Sequence, residues 1–264
     1  VDEVTHSTGF RVVRALLLAA FAAYFFVPLL ALLDFSLQAR GTAEGRTLDA
    51  WQFMITDRNL RSSIIASLLL ALLTVVGMVV LLVPTMIWIR LRVPKVNRLV
   101  EFLCLLPLTI PALVIVVGIK NVYDWVYYLL GGSPLTLTFA YIILVLPYSY
   151  RAVDTALAAI DVTTLAEAAR SLGAGWLTVI TRIVMPNIIS GVLSAAFISV
   201  ALVMGEYVFS SLLLFDTLPV EMVAVYKQYP QASMAAALAS MALVAFLLLL
   251  LTLADQRRRH QKGS

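Results

Sequence analysis

Six apolar runs of bilayer-crossing length constrain this chain more than any motif it carries. They fall at about 15–33, 64–89, 99–122, 135–150, 187–206 and 232–253, and about 20 residues of helix cross the hydrocarbon layer. In lipid every backbone amide and carbonyl must find its partner within the protein, so only helices and closed barrels can span. These runs show no strict alternation and read as helices. The expectation is an all-α integral membrane protein, one transmembrane domain over residues 1–264. A composition of 62% hydrophobic and 13% charged residues, with mean hydropathy +0.97, excludes an ordinary soluble domain.

Basic residues orient the spans, because Lys and Arg are retained on the cytoplasmic side. With the N-terminus inside, the inner segments hold Arg11, Arg14, Arg90, Arg92, Lys95, Arg98, Arg151, Arg170, Arg182, Arg257, Arg258, Arg259 and Lys262, and the outer side keeps the other six of 19. Both termini are therefore expected to be cytoplasmic. The net charge of +4 and the RRRHQK tail are topology signals rather than a nucleic-acid footprint. The first run follows Arg11 and Arg14 as a signal sequence would, but it is too long for an h-region and LLDFSLQ lacks a small-x-small cleavage site. It is expected to stay as a span. The single cysteine, Cys104, cannot form a disulfide within the chain and reads as a small packing residue.

Between the first two spans, Leu48, Trp51 and Ile55 are spaced to lay a short helix on the outer membrane surface. Pro84 is expected to bend the second span near its inner end. Pro107 and Pro111 fall near the middle of the third, where freed carbonyls either line a cavity or mark a kink. At its outer end Tyr123 and Asp124 lie among Trp125, Tyr127 and Tyr128, either an interfacial belt or the carboxylate-and-aromatic chemistry that binds a cationic amine. The fifth span carries Ser190, Gly191, Ser194, Ala195, Ser199 and Gly205, small residues that suit close packing. It ends on Glu206 and Tyr207. An ionisable group at that depth is a candidate for the solute pathway, against the alternative of a solvated carboxylate just past the membrane edge.

The segment 164–186, TLAEAARSLGAGWLTVITRIVMP, is the longest ordered stretch between spans. Thr164 to Glu167 has the spacing of a capping box. Leu165, Ala168, Ala169 and Leu172 then form one apolar stripe, and Gly173 can end a helix at positive φ. Trp176, Val179, Ile180, Ile183 and Val184 form a second stripe, which Pro186 stops or hands on to the next helix. The result is an amphipathic hairpin between the fourth and fifth spans. Physics alone leaves it divided between a cover for the bundle's cytoplasmic end and a docking element.

Glu167-Ala168-Ala169, Gly173 six residues after the glutamate, Ile183 ten further on and Pro186 closing resemble the EAA loop of binding-protein-dependent ABC importer permeases, of MetI-like fold. Met185 stands where that family usually has leucine, a swap of similar volume. The stretch PYSYRAVDTALAAIDVTTLAEAARSLGAGW and the motif GEYVFSSLL resemble the spermidine/putrescine branch in particular. Permeases for phosphonate, thiamine, iron or other small solutes share these features.

The resemblance implies a multi-pass permease of the bacterial cytoplasmic membrane. It pairs with a second, paralogous permease chain, rests on two ATP-binding cassette subunits and receives solute from an extracytoplasmic binding protein. It also implies that Glu167, Ala168, Ala169, Arg170, Gly173 and Ala174 couple to the ATPase. The chain itself has no G-x-x-x-x-G-K-[ST] phosphate loop. ATP and its Mg ion are expected on the partner subunits, with no cofactor or metal held here. His6 and His260 lie in polar termini, which leaves no histidine within a span for serine–histidine hydrolysis or a metal site, so no catalytic residues are expected. An ion-coupled secondary transporter and a membrane scaffold remain as other classes, the first disfavoured by mid-span regions almost free of charge.

Overall fold

The computed structural model describes residues 8–41 and 45–262. Twelve α-helices order the described chain: α1 (Thr8–Ser36), α2 (Asp49–Thr56), α3 (Arg58–Arg92), α4 (Asn97–Leu105), α5 (Ala112–Leu130), α6 (Thr138–Ala158), α7 (Val162–Ser171), α8 (Trp176–Thr178), α9 (Met185–Gly205), α10 (Val208–Leu212), α11 (Leu218–Tyr226) and α12 (Pro230–Lys262). A π-helical segment, Val179–Val184, makes α8 and α9 continuous. Six helical stretches are long and apolar enough to cross a membrane: Arg11–Ser36, Arg58–Arg92, Ala112–Leu130, Pro134–Ala158, Trp176–Gly205 and Pro230–Leu250. His6 lies outside the described residues, as do the side chains of the basic tail from Arg257 to Lys262.

The third span departs from the expected 99–122. Pro107 sits in a 3₁₀ turn, Leu106–Thr109, and Pro111 is the residue before α5, with φ −56° and ψ 138°. Ile110 is extended, φ −109° and ψ 124°, as the residue before a proline must be. The two prolines therefore do not kink one span. They divide the apolar run into α4, which buries Cys104 while exposing Phe102 and Leu103, and the spanning helix α5.

The helices form two compact units, Val1–Arg58 with Met222–Met241 and Asn59–Glu221 with Ala242–Ser264. In the first, α2 forms as the spacing of Leu48, Trp51 and Ile55 predicts, but Trp51 does not lie free at a surface. Its indole N–H donates to Ser36 Oγ at 3.2 Å. Ala50, Val225, Tyr229, Ala232 and Ala235 make a small core, Phe53 packs edge-on against Tyr229, and the Arg40 guanidinium lies 4.6 Å from that ring's centroid.

The second unit has its core along α3, α6 and α9, where Met78, Val83, Ile87, Tyr141, Val145, Val153, Leu157, Ile188 and Ala195 are buried. The closest helix pair is α6 and α9. A Cβ placed on Gly191 would lie 2.8 Å from the Ala152 carbonyl oxygen and nearer still to Ala156 Cβ, so glycine is what lets the two backbones meet. Ser149 and Ser199 share a hydrogen bond of 3.2 Å at the same interface. At one end Arg90 of α3 pairs with Asp154 of α6 at 2.7 Å, and Arg151 of α6 with Glu101 of α4 at 2.9 Å. The two ion pairs meet α6 about one turn apart, at Arg151 and Asp154, and tie α3 and α4 to it.

Gly191→Val is expected to lower stability by about 1–3 kcal/mol through overpacking. Gly118→Ala, with nothing within 4 Å of the added Cβ, should stay within about 0.5 kcal/mol of wild type on a surface-like site. Denaturant unfolding of the detergent-solubilised chain reads both.

Candidate functional site

The hairpin is built by its caps. Helix α7 begins at Val162, three residues before the sequence suggests, because Asp161 caps it: Oδ1 accepts from the Thr164 amide at 3.1 Å and Oδ2 from the Thr164 hydroxyl at 2.6 Å. The expected Thr164–Glu167 capping box is thus replaced. Aspartate outranks threonine as a cap, and Thr164 serves as its donor. The hydroxyl and amide of Thr164 hold the Asp161 carboxyl below its ordinary value of 3.8. Glu167 is left in the second turn, exposed and free of capping duty.

The buried face extends back to the new first turn. Val162, Ala166 and Ala169 are buried at i, i+4 and i+7, where α7 packs on the Val179–Val184 segment. Of the expected stripe, Ala169 is buried and Leu165 half-buried, but Ala168 is exposed and Leu172 is 89% exposed, their places being taken by Val162 and Ala166. Gly173, at φ +86°, ends the helix: its amide donates to the Arg170 carbonyl at 2.9 Å, and the Ala174 amide to the Ala169 carbonyl at 3.0 Å. These two bonds are a Schellman motif.

Past Gly175 the chain re-enters helix at Trp176. The second stripe holds: Val179 and Val184 are fully buried and Trp176, Ile180 and Ile183 half-buried, while Leu177 is 76% exposed. Pro186 opens the next helix, as the second residue of α9, with no gap before it. The preceding turn widens to the π form, in which the Met185 amide reaches the Ile180 carbonyl, and helix continues to Gly205. An i+5 bond skips the register that the missing proline N–H would have broken. The second arm is therefore the root of the fifth span itself.

Of the six residues expected to couple, Glu167, Ala168, Arg170 and Gly173 face outward, Ala169 is buried and Ala174 half-buried. Arg170 has a second contact that sequence reasoning missed. Its guanidinium carbon lies 4.5 Å from the Trp176 ring centroid, and that of Arg92, at the end of α3, lies 4.4 Å from the same ring. The six-residue spacing of Arg170 and Trp176 around a glycine turn is the only local signal of this clasp. Arg92 comes from 84 positions away, and nothing in the sequence announces it.

The candidate pathway residues sit at the other end of the unit. Tyr123 is 7% exposed, its hydroxyl donating to the Thr136 carbonyl at 3.1 Å and accepting the free Ala140 amide in the first turn of α6 at 3.3 Å. Glu206 is the residue at which α9 breaks. Its carboxylate accepts from the Phe209 amide at 2.9 Å and the Ser210 amide at 3.4 Å, which opens α10, and from the Tyr141 hydroxyl at 2.8 Å. Tyr123 and Glu206 thus grip adjacent residues of α6. Asp124 and Tyr207 are exposed.

The open hollows lie elsewhere. One, about 720 Å³, is lined by Ala152, Thr155 and Ala156 of α6, Ser190, Gly191 and Ser194 of α9, and Thr252 of α12. Another, about 430 Å³, adds Leu105, Leu108 and Tyr148 and shares Ala152, Thr155 and Ile198 with the first, so the two form one groove along the α6–α9 contact. The clue in the sequence was the run of serines and glycine in the fifth span, which serves packing and groove alike.

Residues 82–260 match the family described as the binding-protein-dependent transport system inner membrane component. The chain belongs to this family. It is an inner-membrane permease component, and the matched region takes in the hairpin, α6, α9 and the groove between them. Its fold is that of permeases in solved bacterial importers. It covers 97% of its own length and 99% of a chain in a bacterial ABC transporter that imports the acidic polysaccharide alginate, at 14% identity and TM-score 0.65. It likewise covers 97% of itself and 98% of a chain in the bacterial alginate ABC transporter in complex with an alginate pentasaccharide-bound periplasmic protein, at 18% identity and TM-score 0.67. No curated protein sequence matches the chain.

The Asp161 cap gives the hairpin a pH signature. Because the folded carboxyl titrates below an unfolded aspartate, its contribution is complete above about pH 4 and is lost as pH falls through the depressed value. Asp161→Ala should speed hydrogen exchange at the Thr164 amide at neutral pH, and Asp161→Asn should keep it protected without the acid dependence.

Proposed function

We propose that residues 162–186 are the coupling element through which a separate ATP-binding subunit drives this permease. The observation that carries the proposal is the outward face of the hairpin: Leu172 and Leu177 stand almost fully exposed, 89% and 76%, on either side of a turn fixed by the Gly173 Schellman motif. Leu172, an exposed leucine in the segment between two spans, calls for a protein partner. Glu167 and Ala168 flank them and complete a small apolar knob with a charged edge.

The hairpin joins α6 directly to α9, the closest-packed helices of the unit. A push on the knob therefore moves both helices as one body and tilts the groove between them, which is how nucleotide-driven closure would switch access from one side of the membrane to the other. Two ATP-binding cassette subunits supply the ATP and Mg, a second and paralogous permease chain closes the groove of α6 and α9, and an extracytoplasmic binding protein delivers solute.

The solute is a polyamine of the spermidine/putrescine class. What supports this is the resemblance of the stretches 147–176 and 205–213 to that branch, and the exposed Asp124 beside exposed Trp125, Tyr127 and Tyr128 at the end of α5. Carboxylate and aromatic faces bind protonated amines. Tyr123 and Glu206 hold the rim of the route in place, their polar atoms being engaged with α6 and α10.

In the assembled transporter, Gly173→Val is expected to leave ATP hydrolysis running while uptake falls by about tenfold or more, since a β-branched residue at positive φ is strained by 1–2 kcal/mol or so. Gly173→Asn, which tolerates that region, should retain most uptake. Normal uptake by the valine variant would remove the coupling role. The solute is read separately, by calorimetric titration of the partner binding protein with spermidine, thiamine and a phosphonate; preference for either of the last two would displace the polyamine reading alone.

A further inference from the structure

Trp88, Arg92 and Trp176 line an open pocket of about 300 Å³ where α3 ends and the second arm of the hairpin begins. The two guanidiniums that rest on Trp176 come from separate elements, Arg92 from α3 and Arg170 from α7. Both are exposed, and among the described side chains neither has a carboxylate within ion-pair distance. Three carboxylates of this end are engaged elsewhere, Asp154 on Arg90, Glu101 on Arg151 and Asp161 on Thr164, and Glu167, three residues before Arg170 on the same helix, stands exposed without an ion pair to it. Two positive charges are therefore held within about 9 Å of each other by one indole, neither ion-paired with a described carboxylate.

The depth of the pocket identifies the anion. Trp176 is the first residue of one span, and Trp88 lies four residues before Arg92 on the same face of another, 55% exposed. Tryptophans at the ends of spans sit at the level of lipid headgroups. Two arginines just beyond them, on the side to which the basic residues are gathered, reach the phosphate level of the cytoplasmic leaflet, where acidic lipids concentrate. Arginine presents a planar fork suited to phosphate oxygens.

We infer that this pocket binds a phosphate-bearing anion, the headgroup of an acidic phospholipid, bridging Arg92 and Arg170 and so fastening the hairpin to α3. The site is independent of the solute carried. An acidic bilayer would hold the knob in one position, and a bilayer without acidic lipid would leave two repelling charges to be screened by salt alone. The transporter's response to ATP would thereby depend on membrane composition.

The test uses the full-length wild-type chain and the double variant Arg92→Gln/Arg170→Gln, each titrated in detergent with phosphatidylglycerol or phosphatidylcholine and read by native mass spectrometry. The expected result is tighter binding of phosphatidylglycerol to wild type, weakened about tenfold in the variant, with phosphatidylcholine unchanged. Arg58→Gln/Arg61→Gln, at the opposite end of α3, should bind as wild type. Equal phosphatidylglycerol binding by wild type and the double variant would overturn the site. Displacement of phosphatidylglycerol by millimolar inorganic phosphate would keep the anion chemistry but overturn the lipid as its source. A measurement on wild type alone covers a double variant that fails to fold: purified gently from a mixed bilayer, the chain should retain phosphatidylglycerol in preference to phosphatidylcholine. Equal retention, or none, contradicts the inference.

Discussion

The contact between α6 and α9 is the constraint on which the rest of the described unit depends. At Gly191 the two backbones come closer than any side chain would allow, with the Ala152 carbonyl and Ala156 directly opposite. Lipid gives no hydrophobic drive for helices to pair, so close approach, dispersion and interhelical hydrogen bonds must do so; the Ser149–Ser199 bond adds one of these within the same interface. Because the hairpin joins these two helices end to end, it has no freedom apart from them. Its first arm is capped by Asp161 a few residues beyond α6, and its second arm is the beginning of the fifth span.

That arrangement separates stiffness from exposure. Inward-facing Val162, Ala166, Ala169, Val179 and Val184 lock the hairpin's two arms to each other, while Leu172, Leu177 and Glu167 are exposed. The Trp176 clasp adds a third tie, to α3. At the opposite end the same economy applies to Glu206. Its carboxylate takes the amides that α10 leaves unpaired and the hydroxyl of Tyr141, so the helix break costs few unsatisfied groups. A carboxylate that reads as a solute ligand thus has a structural duty, and the roomier groove lies along the small and hydroxyl residues of α6 and α9.

Much of this was legible in the chain. Long apolar runs set the number of spans, the bias of arginine and lysine set their direction, and a glycine between two short amphipathic stripes set the hairpin, because each of these is a local pattern. Failures came where two local signals competed or where the partner was distant. Thr164 read as the cap, but Asp161, three residues earlier, takes that role with Thr164 as its donor, and the helix starts at Val162. Pro107 and Pro111 looked like a kink within one span, yet four residues of spacing was enough to end α4 and start α5 afresh. Tyr123 and Glu206 carried chemistry suggestive of a ligand, and that they also meet α6 at Ala140 and Tyr141, 17 and 65 residues away, lies beyond any periodicity. The meeting of Arg92 with Arg170 on Trp176 is a tertiary fact alone.

The central claim is that an outward-facing, internally rigid hairpin is held by a separate ATP-driven subunit. Leu172→Cys tests it most directly, because the native Cys104 is buried and will not compete for reagents. In membranes from cells that express the whole transporter, a thiol at position 172 should cross-link to the ATP-binding subunit and be shielded from a water-soluble maleimide. Without that subunit it should label freely. Equal labelling in both preparations, with no cross-linked product, would contradict the account.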